Sequence, residues 1–127
     1  MNFLSYLIVF AGAGLGGMMR HGVNGFITDR TASGFPVGII AINISGSLLL
    51  GLLTGYFAFK GDASGNWRLF LTTGLCGGYT TFSTFSQDTI LLIDRGQPGA
   101  AALYVILSVG LSLLAFFAAL WLTRQIN

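Results

Sequence analysis

The sequence predicts an all-α integral membrane protein of four transmembrane helices, the third broken near its middle. Three observations carry this reading. Of the 127 residues, 54% are hydrophobic and only 8% are charged, whereas a soluble domain carries about 25% charged residues; the mean hydropathy is +0.78. Four apolar stretches, each near the roughly 20 residues needed to cross a bilayer, take up almost the whole chain. Within the third, the run Gly74-Leu75-Cys76-Gly77-Gly78-Tyr79-Thr80-Thr81-Phe82-Ser83-Thr84-Phe85-Ser86 sets a glycine interruption before a hydroxyl-rich stretch. No backbone polar group stays unpaired in hydrocarbon, so a break there must face protein, water or a bound ion. That makes it the candidate permeation or coordination site. Residues 1–127 form one transmembrane domain, and no soluble catalytic domain fits beside it.

Span one covers about residues 3–26, with Arg20 and His21 toward its end. It lacks a basic leader and a convincing small-residue cleavage site, so a retained helix is expected and not a signal peptide. Span two runs over about residues 36–59, from Pro36 to a close at Lys60-Gly61-Asp62. Span three, about residues 67–93, starts at Trp67, an aromatic suited to the membrane interface. Span four, about residues 98–123, begins at Pro98, a good first helical residue, and ends at Trp121-Leu122-Thr123-Arg124. Short connections predict antiparallel neighbours.

Four spans put Lys60, Arg68 and Arg124 on one side and Arg20, Arg30 and Arg95 on the other. The bias of Lys and Arg that orients membrane proteins is therefore absent. An even tally fits a chain inserted in both directions, whose two orientations meet as an antiparallel, dual-topology homodimer. It also fits a small count that came out even. Four helices leave little room for an aqueous path among themselves, so a pore is expected between subunits. Gly12 and Gly16, and Gly51 and Gly55, give two small-xxx-small pairs that allow close helix approach.

Several chemistries are excluded. Gly12-Ala13-Gly14-Leu15-Gly16-Gly17 fits G-x-G-x-x-G, but the dinucleotide motif needs a strand before it and this run lies in a membrane span. No nucleotide site is expected, and a net charge of +2 without a basic run gives no case for nucleic acid. His21 and Cys76 are one soft ligand each, with no carboxylate at a matching spacing, so no zinc site within one chain is expected. No serine sits in a nucleophile-elbow pattern, and no enzyme is expected. None of Asp29, Asp62, Asp88 and Asp94 lies at the centre of a span, which argues against a proton-coupled transporter.

Neutral polar residues form a different constellation. Tyr104, Ser108 and Ser112 recur every four residues on span four, and Asn43 and Ser47 do so on span two. Phe82 and Phe85 share one side of the segment after the break, with Thr81, Ser83, Thr84 and Ser86 around them. Taken singly, each has an explanation in helix packing. Together they offer amide and hydroxyl donors and the positive edges of phenyl rings, groups that stabilise a small anion without fixed charge. Conduction needs binding strong enough to admit an ion and weak enough to release it, which suits neutral donors. Arg20 reads either as an attracting charge at a vestibule or as an interfacial arginine reaching for the headgroups.

These residues resemble the Fluc (CrcB-type) fluoride channels, small four-span bacterial and archaeal membrane proteins. The resemblance covers the whole chain in length and span layout. Its specific core is Gly77-Gly78-Tyr79-Thr80-Thr81-Phe82-Ser83-Thr84-Phe85-Ser86, with Gly16-Gly17-Met18-Met19-Arg20 on span one and Ile42-Asn43-Ile44-Ser45-Gly46 on span two. It implies a dual-topology antiparallel homodimer with two fluoride pathways, exporting cytoplasmic fluoride passively from a bacterial inner membrane. On this resemblance Phe82 and Phe85 present ring edges to the ion and Asn43 is an amide donor beside them. Tyr104, Ser108 and Ser112 extend the polar track, with Ser83 and Thr84 as weaker members. The backbone carbonyls of Gly77 and Thr80, from both subunits, hold a central structural sodium ion (Na+). Asp88 stands where the family favours Glu, a departure from the family's pattern at a position near the vestibule. Expected partners are fluoride, a second copy of the chain and the lipid bilayer. A small dual-topology exporter of drugs or other cations, or a non-transporting membrane scaffold, shares the size and charge balance.

Overall fold

The computed structural model describes residues 2–60 and 65–126, and every ordered segment among them is helical. Helix α1 (Phe3–Thr31) starts where the Asn2 side chain accepts the Ser5 N–H at 3.1 Å, satisfying one of the free donors of the first turn. Its 29 residues give about 43 Å of helix, well beyond a hydrocarbon core of about 30 Å. The helix therefore overruns the expected end at Phe26 by a polar turn and a half, in which Arg30 lies over the Phe26 ring at 3.5 Å. It stops at Ala32, whose φ of 44° is left-handed. Helix α2 (Val37–Lys60) follows after a short turn. The expected close of span two at Gly61 and Asp62 lies outside the described residues.

The third segment departs from expectation. It begins with a turn of α-helix, α3 (Gly65–Leu69), widens into a π-helix, π1 (Phe70–Cys76), and tightens again in α4 (Gly77–Tyr79). The chain is helical through Gly74, Gly77 and Gly78, the glycines of the expected interruption; Gly77 has φ −63° and ψ −37°. It leaves the helix later, at Thr80 (φ −79°, ψ 159°) and Thr81 (φ −153°, ψ 123°), and resumes as α5 (Phe82–Asp94).

The glycines have another job. A Cβ on Gly12 would stand 2.7 Å from the Phe70 carbonyl oxygen, and one on Gly78 would stand 2.7 Å from Ala13 Cα. Gly16 faces Tyr79 N at 2.7 Å in the same sense. These are backbone-to-backbone approaches, so the glycines let α1 and the third segment pack without side chains between them.

Helix α5 closes on Gly96 at φ 74°, where the Gly96 and Gln97 N–H groups donate to the Ile93 and Leu92 carbonyls at 2.9 Å each. This paired closure needs a left-handed residue, which glycine supplies without strain. Helix α6 (Pro98–Ile126) then runs back. Gly12 meets Gly74 and Gly16 meets Gly78, so α1 and the third segment run in one direction. Gly51 meets Phe116 and Ala119 while Phe35 meets Tyr104, so α2 and α6 run together in the other. The core, Ile39, Ile40, Ile42, Leu92, Ala101 and Tyr104, sits where α2, α5 and α6 converge.

Helices α1, α2 and α6 are each long and apolar enough to cross a membrane. Neither piece of the third segment is: α5 has 13 residues, short of the roughly 20 that a crossing requires.

Candidate functional site

The two extended residues are gripped by side chains from two different helices. The Thr80 N–H and hydroxyl both donate back to the Cys76 carbonyl at 3.0 Å, and its own carbonyl accepts Arg20 Nη1 at 3.1 Å. Thr81 donates its N–H to Asn43 Oδ1 at 2.9 Å and accepts Asn43 Nδ2 on its carbonyl at 3.0 Å. One carboxamide thus satisfies both backbone groups of an extended residue, as a neighbouring strand would in a sheet. The Thr81 hydroxyl then caps α5 by accepting the Thr84 N–H at 3.2 Å. In a continuous helix the Thr81 N–H would have served the Gly77 carbonyl, so that carbonyl loses its donor four residues on.

An open cleft of about 290 Å³ lies in front of the α5 N-terminus. Asn43, Ser47 and Leu50 of α2 form one wall, and Ser108, Val109, Ser112 and Leu113 of α6 form the other. Thr80, Thr81, Phe82 and Phe85 close its top. Among the described residues, no ionisable side chain lines it. The Ser108 and Ser112 hydroxyl oxygens are buried and have no hydrogen-bond partner among the described residues. Serines in helices usually bond the carbonyl one turn back; these two leave their donors available, at a cost of about 1–3 kcal/mol each if nothing else meets them.

Above the serines, aromatic rings stack in a row. Phe82 and Phe85 lie 5.4 Å apart, and Phe85 lies 5.3 Å from Tyr104. Phe82 is 77% exposed, so most of its ring projects beyond the single chain. Tyr104 is wholly buried, and its hydroxyl donates to Asp88 Oδ2 at 3.0 Å.

The structure therefore brings together five of the expected pathway residues, Asn43, Phe82, Phe85, Ser108 and Ser112, with the backbone of Thr80 beside them. It separates the others. Tyr104 shares the helical spacing of the serines, but it is turned to Asp88 and does not line the cleft. Ser83 is exposed, with its hydroxyl 3.3 Å from that of Thr81. Thr84 and Asp88 line a second cavity of about 230 Å³ against the α1–α2 turn. Arg20 reaches the junction from α1 and holds a backbone carbonyl rather than the cleft. Gly77 is exposed on the surface of the chain. Sequence reasoning placed Ser47 and Thr81 in the polar constellation but gave neither a role on the pathway. The four-residue spacing of Asn43 and Ser47 signalled the first; the second follows only once the helix is seen to restart at Phe82.

The arrangement defines a multi-pass helical membrane protein in which neutral hydrogen-bonding groups converge beside a two-residue gap between helices. Comparison with known proteins makes that more definite. Residues 7–120 match the family described as CrcB-like protein, Camphor Resistance (CrcB), and the chain belongs to that family. It is 51% identical over 124 residues to the fluoride-specific ion channel FluC 2 of Nitrobacter hamburgensis, covering 98% of this chain and all of the relative. It is 54% identical over 122 residues to the fluoride-specific ion channel FluC of Methylobacterium nodulans, covering 96% of this chain and 98% of that one. The FluC channel of Rhodopseudomonas palustris strain BisB5 is 53% identical over 124 residues, covering 98% and 100%.

Proposed function

We propose that this chain is a passive fluoride channel of a bacterial cell membrane, and that fluoride crosses along the cleft beneath α5. The observation that carries this reading is the pair of buried, unpartnered hydroxyls of Ser108 and Ser112 in a cleft without charge. A small, strongly hydrated anion gives up water only where donors replace it, and here the Asn43 amide, the two serines and the ring edges of Phe82 and Phe85 line one path. Relatives covering nearly the whole chain carry the name fluoride-specific ion channel. An anion leaves a negative interior with about 2.3 kcal/mol of driving force per 100 mV, so no energy-coupling site is required.

In this reading α3, π1, α4 and α5 form one broken span, and two chains of opposite orientation make the working unit. Support comes from what a single chain leaves uncovered. Phe82, Gly77, Ser83 and Gln87 are exposed on the segment that would lie at membrane depth, and polar groups there must face protein or water. The balanced tally of Lys and Arg agrees.

The donor set also fits the expected sodium ion in part. The Gly77 carbonyl has lost its helical donor, and the Thr80 carbonyl keeps one lone pair beside the Arg20 contact. One chain offers only these two oxygens, so the same pair from a second copy would have to join them around a small hard cation. When bound, such an ion would add fixed positive charge near the two pathways.

Purified protein in liposomes tests the function. Voltage-driven fluoride efflux without a pH gradient is the expected result. Drug-for-proton exchange would establish the exporter instead, and inert vesicles the scaffold.

A further inference from the structure

We infer that the N-terminus of α5 is itself an anion-binding station, in which the free N–H groups of Phe82 and Ser83 act together with the Ser108 hydroxyl. The inference rests on the channel reading above and adds a backbone element to it. Helix α5 runs from the gap toward Asp88, which lies beside Tyr104 near the start of α6. The N–H groups of its first turn therefore point the opposite way, along the direction in which α6 passes from Ser108 to Ser112 and α2 passes from Asn43 to Ser47. The cleft lies on that side, lined there by Thr81 and Phe82, with the Ser83 N–H one residue behind Phe82 on the same helix end.

Of the first-turn donors, the Thr84 N–H is taken by the Thr81 cap. The N–H groups of Phe82 and Ser83 have no acceptor among the described residues, as the first two positions of a capped helix do not. They sit at the positive end of a 13-residue helix, equivalent to roughly half an elementary charge. A second observation points to the same place. Ser108 is only 4% exposed, lines this cleft, and has an unpartnered hydroxyl. Amide donors aligned with a helix dipole, with a free hydroxyl lining the same cleft, match a small monovalent anion.

The gap at Thr80–Thr81 thereby gains a purpose. A helix continued through it would spend both N–H groups on the Gly78 and Tyr79 carbonyls. Ending the helix turns them toward the path, and because a helix end attracts less strongly than a lysine, the ion can leave again.

The test replaces single peptide N–H groups by ester oxygens, using semisynthesis of the full chain at Phe82, at Ser83 and at Gln87. The first two remove a proposed ion donor, whereas Gln87 lies in the body of α5, where its N–H serves the helix. Fluoride efflux from liposomes should fall roughly tenfold or more for the esters at Phe82 and Ser83 and stay within about twofold for Gln87. Adding Ser108→Ala to the Ser83 ester should cost less than the two changes summed, because both act on one ion. The Ser83 ester leaves the Thr81 carbonyl untouched, so it still decides the matter if the Phe82 ester fails to assemble. Equal conduction by the Ser83 and Gln87 esters overturns this inference alone. An inert unmodified chain overturns the channel reading and this inference with it.

Discussion

Replacing Asn43 by alanine removes both hydrogen bonds that hold the Thr81 peptide, one of 2.9 Å to its N–H and one of 3.0 Å to its carbonyl. Thr81 is 8% exposed, so in the intact packing water reaches these groups poorly. Each buried backbone group left unpaired costs about 1–3 kcal/mol. The adjoining cleft is open on one side, and a water entering the vacated space recovers part of that sum. The expected loss is about 2–3 kcal/mol, which raises the population of a locally opened gap by roughly 30- to 150-fold. Amide hydrogen exchange across Thr80 to Thr84 reads this directly, with fluoride efflux measured on the same preparation. Asn43→Ala should quicken exchange at Thr81 by that factor and lower flux. Asn43→Asp keeps an acceptor for the Thr81 N–H while setting an oxygen against its carbonyl, and should fall between wild type and alanine in exchange. If Asn43→Ala abolishes flux with exchange at Thr81 unchanged, Asn43 serves the ion alone and the clamp is incidental.

Other expectations concern packing, the buried pair and the cation. Gly16→Ala sets a methyl against the backbone of the third segment and should destabilise assembly by about 1–3 kcal/mol, whereas Gly17→Ala meets nothing within 4 Å and should be neutral or slightly stabilising; thermal unfolding of the two in detergent distinguishes them. Tyr104→Phe strips Asp88 of its hydroxyl donor and should cost about 1–3 kcal/mol of stability. Because Tyr104 lies off the cleft, its flux should fall less than that of Ser108→Ala, and the reverse order would restore Tyr104 to the pathway. Exhaustive dialysis against sodium-free buffer should impair assembly or conduction if the Gly77 and Thr80 carbonyls hold that ion, and indifference to sodium would remove it.

The polar residues show how far a linear reading reaches. Helical spacing correctly grouped Ser108 with Ser112 and Asn43 with Ser47, because residues four apart share a face whatever they pack against. The same rule grouped Tyr104 with the serines, and the structure separates it. A tyrosine is long enough for its hydroxyl to select a partner off its own face, and the half-buried carboxylate of Asp88 is a stronger acceptor than anything the open cleft offers. Arg20 went the same way. Its charge was plain in the sequence, but a guanidinium within reach of the Thr80 carbonyl bonds there.

The gap teaches the most. Composition and hydropathy alone set the membrane as the solvent, the number of apolar stretches and the neighbourhood of the weak point, since these depend on transfer energies summed along a chain. They placed the interruption in the glycine-rich run from Gly74 to Gly78, and glycine is a poor helix former. In the folded chain those glycines stay helical: α1 approaches Gly78 so closely that only a residue without a Cβ fits, whereas Gly77 faces outward. The helix gives way instead at Thr80 and Thr81, where Arg20 and Asn43, 60 and 38 residues away in sequence, supply the hydrogen bonds that extended backbone needs. Local propensity marks where a helix is cheap to break. Where it breaks is settled by which backbone groups the rest of the fold can satisfy.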